Sequence, residues 1–496
     1  MSGGIPPAPD LSGLSEKIAA SRAVQAAWEA LPYRDRAEHL QKSFRYLGAH
    51  LDELIEAICR DSGKLPLDAL STELVPALMA LDYYIRRGRR FCRGRRISGG
   101  NPLMFNKRSR LVYRAQGVVG IISPWNYPFA IPFSEAVMAL LAGNAVFLKV
   151  ASGVPAVGRA LEAVFGAAEL PPGLFNHVEM PGAEAGPGFI KGGVDKLFFT
   201  GSTAVGRELM ALAAPRLLPL VLELGGADAA IICEDADLDR AAGGLIWAAF
   251  SNAGQSCGGV QRILAHQNIY RPLLEKLRIR IAALRPGVDL GPLYSLQQKE
   301  RLEEQVASCL AQGAQVAARS PAEGFPEERF FPATLLSEVN PGMPIMAEEV
   351  FGPVAAITPV KNDSEALRLA NASDYGLTGS VWSQSPIRAR RVASGIRAGA
   401  VMINDHLMSH GLAETPWGGP GLSGLGRTHG ELGFREMQQV QVIVDDSIAG
   451  AKNPWWYPYS ETVYSGMHAI AEFLGDPGPL RRLTALPRVL RMFFRG

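Results

Sequence analysis

The chain has 496 residues, 47% of them hydrophobic, about three times the length of an ordinary domain, which excludes one small domain and predicts two or three folding units. Its 50 basic and 48 acidic residues leave a formal charge of +2, so it lacks the basic excess of a nucleic-acid binder, and small molecules or protein are the expected partners. Cys59, Cys92, Cys233, Cys257 and Cys309 are scattered, odd in number and free of C-x-x-C spacing, so neither a zinc site nor a disulfide framework is expected and a reducing, cytoplasmic setting fits.

In chain order, residues 1–13 form a Gly/Pro-rich stretch without the basic and apolar regions of a secretory signal, and read as a disordered tail. Residues 14–54 and 69–84 place apolar side chains at helical intervals among charged ones and predict scaffold helices. From Arg110 the texture changes to short apolar runs closed by turn residues, at 117–122, 145–149 and 197–200, with helical stretches at 133–141 and 154–165 between them. That alternation predicts a parallel α/β sheet of the dinucleotide-binding kind. A second alternation over 229–404, with a helix at 269–284 and a strand at 399–403, predicts a second α/β domain. No run of about 18 apolar residues occurs, so no membrane-spanning helix is predicted.

Two segments carry chemistry. Phe250-Ser251-Asn252-Ala253-Gly254-Gln255-Ser256-Cys257 ends in a thiol behind small and polar residues, and Leu222-Glu223-Leu224-Gly225-Gly226 sets a carboxylate among apolar neighbours. A thiolate can attack an aldehyde carbon, and a carboxylate whose pKa is raised by desolvation can then activate water against the resulting thioester. A lone cysteine in apolar sequence is more often a buried small hydrophobe, and a lone glutamate a solvated charge. Gly201-Ser202-Thr203-Ala204-Val205-Gly206 follows a strand and opens a helix, which offers backbone N–H groups and a positive dipole end to a pyrophosphate. Glu223 lies about 20 residues further on, the spacing of a ribose-binding acid, so motif reading alone would give it that role. In Pro124-Trp125-Asn126-Tyr127-Pro128 the Asn126 amide either donates to an oxyanion or closes an Asx-turn. Lys149 at its strand end is either a ligand group or a surface charge.

These segments, in this order and at these spacings over 14–445, resemble the aldehyde dehydrogenase superfamily, with Arg262 also on its pattern. The resemblance implies Cys257 as nucleophile, Glu223 as the base that hydrolyses the thioester, and Asn126 with the Cys257 backbone N–H as the oxyanion site. It implies dinucleotide contacts from Trp125, Lys149, Ser152, Gly201, Ser202 and Gly206, with Glu349 and Phe351 of Glu348-Glu349-Val350-Phe351-Gly352-Pro353 at the nicotinamide ribose. No metal is required. Ser152 stands where a common version of the motif has glutamate, so both NAD and NADP are admissible. Asn371, Tyr375-Gly376-Leu377, Asn404 and Pro416-Trp417-Gly418-Gly419 with Ser423-Gly424 fit further landmarks as pocket walls and turns, with Gly421 where lysine is common.

The implied fold is α/β: a Rossmann-like cofactor domain over 14–225, carrying an arm hairpin at about 97–114, a catalytic domain over 226–425, and an oligomerisation strand at 426–446. A homodimer or homotetramer follows from such an arm. The extension 447–496 begins Asn453-Pro454-Trp455-Trp456-Tyr457-Pro458-Tyr459, and from Leu480 it sets Arg481, Arg488, Arg491 and Arg495 against Leu483, Leu486, Leu490, Phe493 and Phe494, with Pro487 expected to kink the helix. This stripe either packs on protein or lies peripherally at a membrane surface. With Gly258 and Gly259 beside the thiol leaving room for bulk, the expected activity is NAD(P)-dependent oxidation of an apolar aldehyde, long-chain, aromatic or isoprenoid-type, to its acid. The alternatives are a semialdehyde dehydrogenase of small metabolites and a non-catalytic protein that keeps the fold; acyl transfer to coenzyme A is disfavoured by the presence of Glu223.

Overall fold

A computed structural model describes residues 12–99, 104, 106–323, 325, 327–448, 453, 456–475 and 486–492. The tail expected at the N-terminus therefore lies, up to residue 11, outside the described residues, as do Arg481, Leu483, Phe493, Phe494 and Arg495. The chain divides into two compact units, Met1–Arg93 with Tyr113–Val440 and Gly94–Val112 with Gln441–Gly496.

The larger unit holds two sheets. In the first, Val118–Ile122 is central, with Ala145–Lys149 and Phe175–His177 on one side and Lys196–Thr200 and Leu220–Glu223 on the other. All these pairings are parallel, and the two-residue Gly424–Leu425 closes the far edge antiparallel. Successive strands run outward from Val118–Ile122 first one way, then the other, so a topological switch point lies between it and Lys196–Thr200. Ligands of doubly wound sheets bind beyond the carboxyl ends of the strands at such a point. Trp125 and Asn126 follow one of these two strands, and Gly201 and Ser202 follow the other. Val118–Ile122 and Ala145–Lys149 are buried along their whole length, as is the helix Ala130–Ala142, the burial expected of a parallel sheet covered by helices.

The second sheet has seven strands in the order Gln315–Arg319, Thr334–Ser337, Val354–Val360, Val260–His266, Asp228–Ile232, Thr378–Trp382, Ala400–Ile403, parallel except for the first pair. Glu223 ends a strand of the first sheet and Asp228 begins a strand of the second, so the Gly-Gly turn joins the two layers. The expected helical region 14–54 is three helices, Ser12–Ala30, Tyr33–Ala49 and Leu51–Ser62. The expected helix at 69–84 is interrupted: Pro66–Ala69 leads into a π-helical turn, Leu70–Leu74, before Val75–Cys92.

The smaller unit centres on a three-stranded sheet of Arg95–Ile97, Lys107–Ala115 and Gln438–Asp446. Its helix Glu461–Gly475 has no counterpart in the sequence reading. Residues 486–492, Pro487 among them, are helical, and residues 480–485, which the expected kinked helix includes, lie outside the described residues. Val489 and Met492 are buried, Met492 against Gly466 and Val489 with Ala469, and Arg488 pairs with Glu472 at 2.5 Å. Leu486 and Leu490 point outward. The described part of the stripe thus packs on its own chain, through residues one step off the face expected. Among the described residues no helix is long and apolar enough to cross a membrane.

Candidate active site

The thiol loop follows the helix Leu238–Phe250, capped by Asp237. Asn252 and Ala253 both take left-handed backbone conformations (φ 53°), a costly choice for alanine that reverses the chain before Cys257. Gln255 anchors the turn: its amide donates to Asn252 O at 3.1 Å, and its side-chain oxygen accepts from Tyr294 N at 2.7 Å. Cys257 is half-buried and lines a cavity of about 170 Å³ walled by Val75, Pro76, Met79, Tyr127, Trp247, Leu407, Met408 and Trp417. Burial, then the charges of Glu349, Asp228 and Glu223, push the thiol up.

Glu223 is buried at its strand end, and neither carboxyl oxygen has a hydrogen-bond partner among the described residues. Burial and the nearby carboxyl of Glu135, offset in part by Arg427, raise its pKa well above the ordinary value. A Cβ on Gly418 would come within 2.6 Å of Glu223 Oε1, and a Cβ on Gly226 would overlap the Cys257 carbonyl oxygen. Only glycines let the carboxyl strand and the thiol loop approach this closely. Gly258 corrects a further expectation. A Cβ there would meet Trp417 at 2.7 Å, Thr378 at 3.0 Å and Leu407 at 3.2 Å, while one on Gly259 would lie 3.1 Å from Ala248 O. The space at these two glycines is filled by protein, so they serve packing, and the room for substrate lies on the cavity side of the thiol.

Asn126 is buried, and its amide donates to Gln255 O at 3.1 Å. That occupies one of two N–H groups and leaves the other for a ligand. Trp125 stacks on Tyr294 (ring centroids 4.3 Å, 12°) and meets the edge of Phe351 at 5.4 Å; Phe351 itself has φ 53°. Lys149 Nζ, buried at the strand end, lies 3.3 Å from Ser152 Oγ, and desolvation lowers its pKa. Ser152 borders a groove of about 470 Å³ with His177, Glu179, Met180 and Gly182. Gly201 departs from the expected free anion-binding amide: its N–H is bonded to Glu223 O at 3.0 Å as part of the sheet. Ser202 caps the helix Thr203–Ala213 through Val205 N, and Gly206 sits against Leu224, where a side chain would clash. Glu349 accepts from Gly226 N at 3.2 Å, and burial raises its pKa to about 7.

Other landmarks hold the frame. The Arg262 guanidinium donates to Ala227, Leu369 and Ala370 carbonyls. Asn371 clips Gly395 to Arg397, Asn404 brackets Ser383, and Ser423 Oγ ties Gly376 N to Gly225 O. Sequence reasoning missed Glu135 and Asp228, each buried with burial the main cause of a pKa near 8, and also Tyr294. Glu135 lies within an apolar helix run, a signal available in the sequence; Asp228 and Tyr294 have none. Among the described residues no cluster suits a metal ion.

Fold and site together define a doubly wound α/β protein with a thiol and a buried carboxyl brought to the seam of two sheets. The profile described as "Aldehyde dehydrogenase family" matches residues 9–443, and the chain belongs to that family. Among relatives, it is 34% identical over 486 residues to a 4,4'-diapolycopene aldehyde oxidase of Methylomonas sp, covering 97% of this chain and 91% of that one. It is 34% identical to a putative succinate-semialdehyde dehydrogenase [NADP(+)] 2 of Mycobacterium bovis, over 89% of this chain and 86% of the relative. Among solved structures, betaine aldehyde dehydrogenase from Staphylococcus aureus in complex with NAD+ superposes with TM-score 0.83 at 27% identity, covering 90% of this chain and 89% of the other.

Proposed function

We propose that this aldehyde dehydrogenase oxidises a neutral, apolar aldehyde, of the long-chain, aromatic or isoprenoid type, to its carboxylic acid with NAD or NADP. The observation that carries the substrate class is the lining of the cavity at Cys257, which among the described residues contains no lysine or arginine. Its one histidine, His410, is held neutral by burial, which lowers its pKa to about 4. A semialdehyde's carboxylate would find no counter-charge there, and an uncompensated buried charge is costly. The rim is apolar as well: Val75, Met79, Trp247 and Met408 are each 41–46% exposed, a patch that suits a hydrophobic chain reaching out of the cavity. The relative named for diapolycopene aldehyde is matched over 97% of this chain and so into the extension, whereas the semialdehyde relative is matched over 89%.

In this reading Cys257 Sγ gives its proton to solvent water and adds to the carbonyl carbon, and Asn126 with the Cys257 main-chain N–H receives the oxyanion. A dinucleotide fits the donor set at the switch point: Lys149 and Ser152 for the adenosine ribose, the capped helix after Ser202 for the pyrophosphate, Trp125, Glu349 and Phe351 towards the nicotinamide end. When bound, it accepts the hydride that leaves the thiohemiacetal carbon. Glu223 then removes a proton from water, which attacks the thioester, and the collapsing tetrahedral carbon releases acid and the thiol. A homo-oligomer is supported by the exposed Val440, Val442 and Val444 on the edge strand Gln438–Asp446. Peripheral membrane contact is supported by outward Leu486, Leu490 and Arg491.

The test is NADH and NADPH formation across aldehydes of increasing chain length. The reading expects kcat/KM to rise with length and succinate semialdehyde to be poor; the reverse order would overturn the substrate class. Cys257→Ala is expected to abolish turnover, and Glu223→Gln to release one equivalent of reduced cofactor and then stall. Steady turnover in either variant would refute its role.

A further inference from the structure

Lys64 follows the helix Leu51–Ser62, and Glu73 lies in the π-helical turn Leu70–Leu74; the reaction outlined above uses neither. Both side chains are completely buried, with Lys64 Nζ 2.9 Å from Glu73 Oε1. A buried ion pair offsets its desolvation only when further hydrogen bonds satisfy both groups. Here those bonds converge on one segment. Lys64 Nζ donates to the Asn126 main-chain oxygen and lies 4.1 Å from the Tyr127 ring centroid. Glu73 Oε2 accepts from Phe129 N at 3.0 Å and Ala130 N at 2.8 Å, at the start of the helix Ala130–Ala142, where a negative charge complements the unpaired N–H groups.

The pair thus holds both ends of residues 126–130. From the opposite side Asn252 of the thiol loop donates to the same Asn126 oxygen at 3.0 Å and to Gln255 O at 3.1 Å, the carbonyl that also accepts the Asn126 amide. Asn126 is therefore clamped between a buried ion pair and the loop that carries Cys257. We propose that Lys64 and Glu73 are a positioning pair: they act on catalysis through Asn126, by fixing the main chain from which its amide N–H reaches the oxyanion. This rests on the reading of Asn126 as the oxyanion donor. π-helical turns recur at functional sites, and this one lets a single carboxylate reach two amides of a neighbouring helix.

The experiment is a double-mutant cycle on the full chain. Lys64→Met with Glu73→Gln removes both charges together, leaves no lone buried ion, and keeps a carbonyl for the Phe129 and Ala130 amides. Aldehyde oxidation is measured for this variant, for Asn126→Ala and for the combination, with thermal unfolding alongside. Asn126→Ala is expected to lower kcat about 100-fold. The charge-free pair is expected to lower kcat about tenfold or more with KM within about twofold, and to cost nothing further once Asn126 is alanine. Unchanged kcat in the folded pair variant, or a loss that multiplies in full onto Asn126→Ala, would overturn the proposal. Wild-type kcat in Asn126→Ala would instead overturn the oxyanion reading beneath it. If that double substitution does not fold, Lys64→Gln with Glu73→Gln, which also leaves no lone buried ion, runs the same cycle with the same expectations.

Discussion

Around Cys257 the charges of three carboxyls, Glu349, Asp228 and Glu223, bear on the sulfur, and a fourth, Glu135, bears on Glu223. Burial raises the pKa of each, to near 8 for Asp228 and Glu135 and about 7 for Glu349. A general base works only when ionised, so turnover limited by Glu223 rises with pH. The Glu135 charge raises the Glu223 pKa; Glu135→Gln removes it, and the acid limb of the kcat profile is expected to move to lower pH. A profile that stays in place would mean the two carboxyls do not couple. The same variant tests stability. The folded-state pKa of Glu135 is about 8, above the ordinary 4.5, so its stabilising protonation is complete below about 4.5 and is lost as pH rises through about 8. The melting temperature of Glu135→Gln should therefore gain on the wild type between about pH 4.5 and 8 and keep that gain above pH 8. The apolar neighbours of Glu223 announced its raised pKa in the sequence; the proximity of Glu135 did not, because it depends on how a helix lies over a strand end.

At the scale of elements, the turn 224–227 joins the two sheets and brings the carboxyl strand to the thiol loop. Gly226→Ala drives a methyl into the Cys257 carbonyl, and overpacking of this kind costs about 1–3 kcal/mol. Urea unfolding should show that loss, and kcat should fall more than the KM for aldehyde, because the displaced atom belongs to the residue that reacts. Equal kcat would mean that the loop relaxes without moving the sulfur. The Gly-Gly pair was legible as a turn, but its reason for being glycine was not, since the opposing oxygen comes from a loop distant in sequence. The same holds for Gly258 and Gly259, read as room for substrate and found against Trp417 and Ala248. Helix and strand periodicity located most elements to within a few residues, yet gave no hint of the π-helical turn, whose single extra residue falls inside an unbroken helical pattern.

For the whole molecule, the alternation of apolar runs and amphipathic helices was enough to predict two α/β layers, and the motif order enough to predict the family. The extension was less legible. Its arginines and leucines alternate at helical spacing, but Val489 and Met492 turn inward and Arg488 is taken by Glu472, so the described helix spends part of its stripe on its own chain. If the remainder meets lipid, Arg491→Glu with Arg495→Glu should cut co-sedimentation with anionic vesicles several-fold at low salt while leaving oxidation of a short, water-soluble aldehyde intact. Unaltered sedimentation would remove the electrostatic part of that contact.

Local chemistry belongs to the sequence: which residue supplies a thiol, which a carboxylate, and where turns must fall follow from side-chain type and short spacings, because those constraints act between neighbours in the chain. Tertiary structure alone decided that Lys64 and Glu73 bury a charge pair under Asn126, that Glu135 faces Glu223, that Gly201 spends its amide on the sheet, and that residues 71–79, 127, 247 and 407–417 close a cavity without a cation. Each of these arises between segments far apart in the chain, where desolvation and close approach, and not spacing, set the energy.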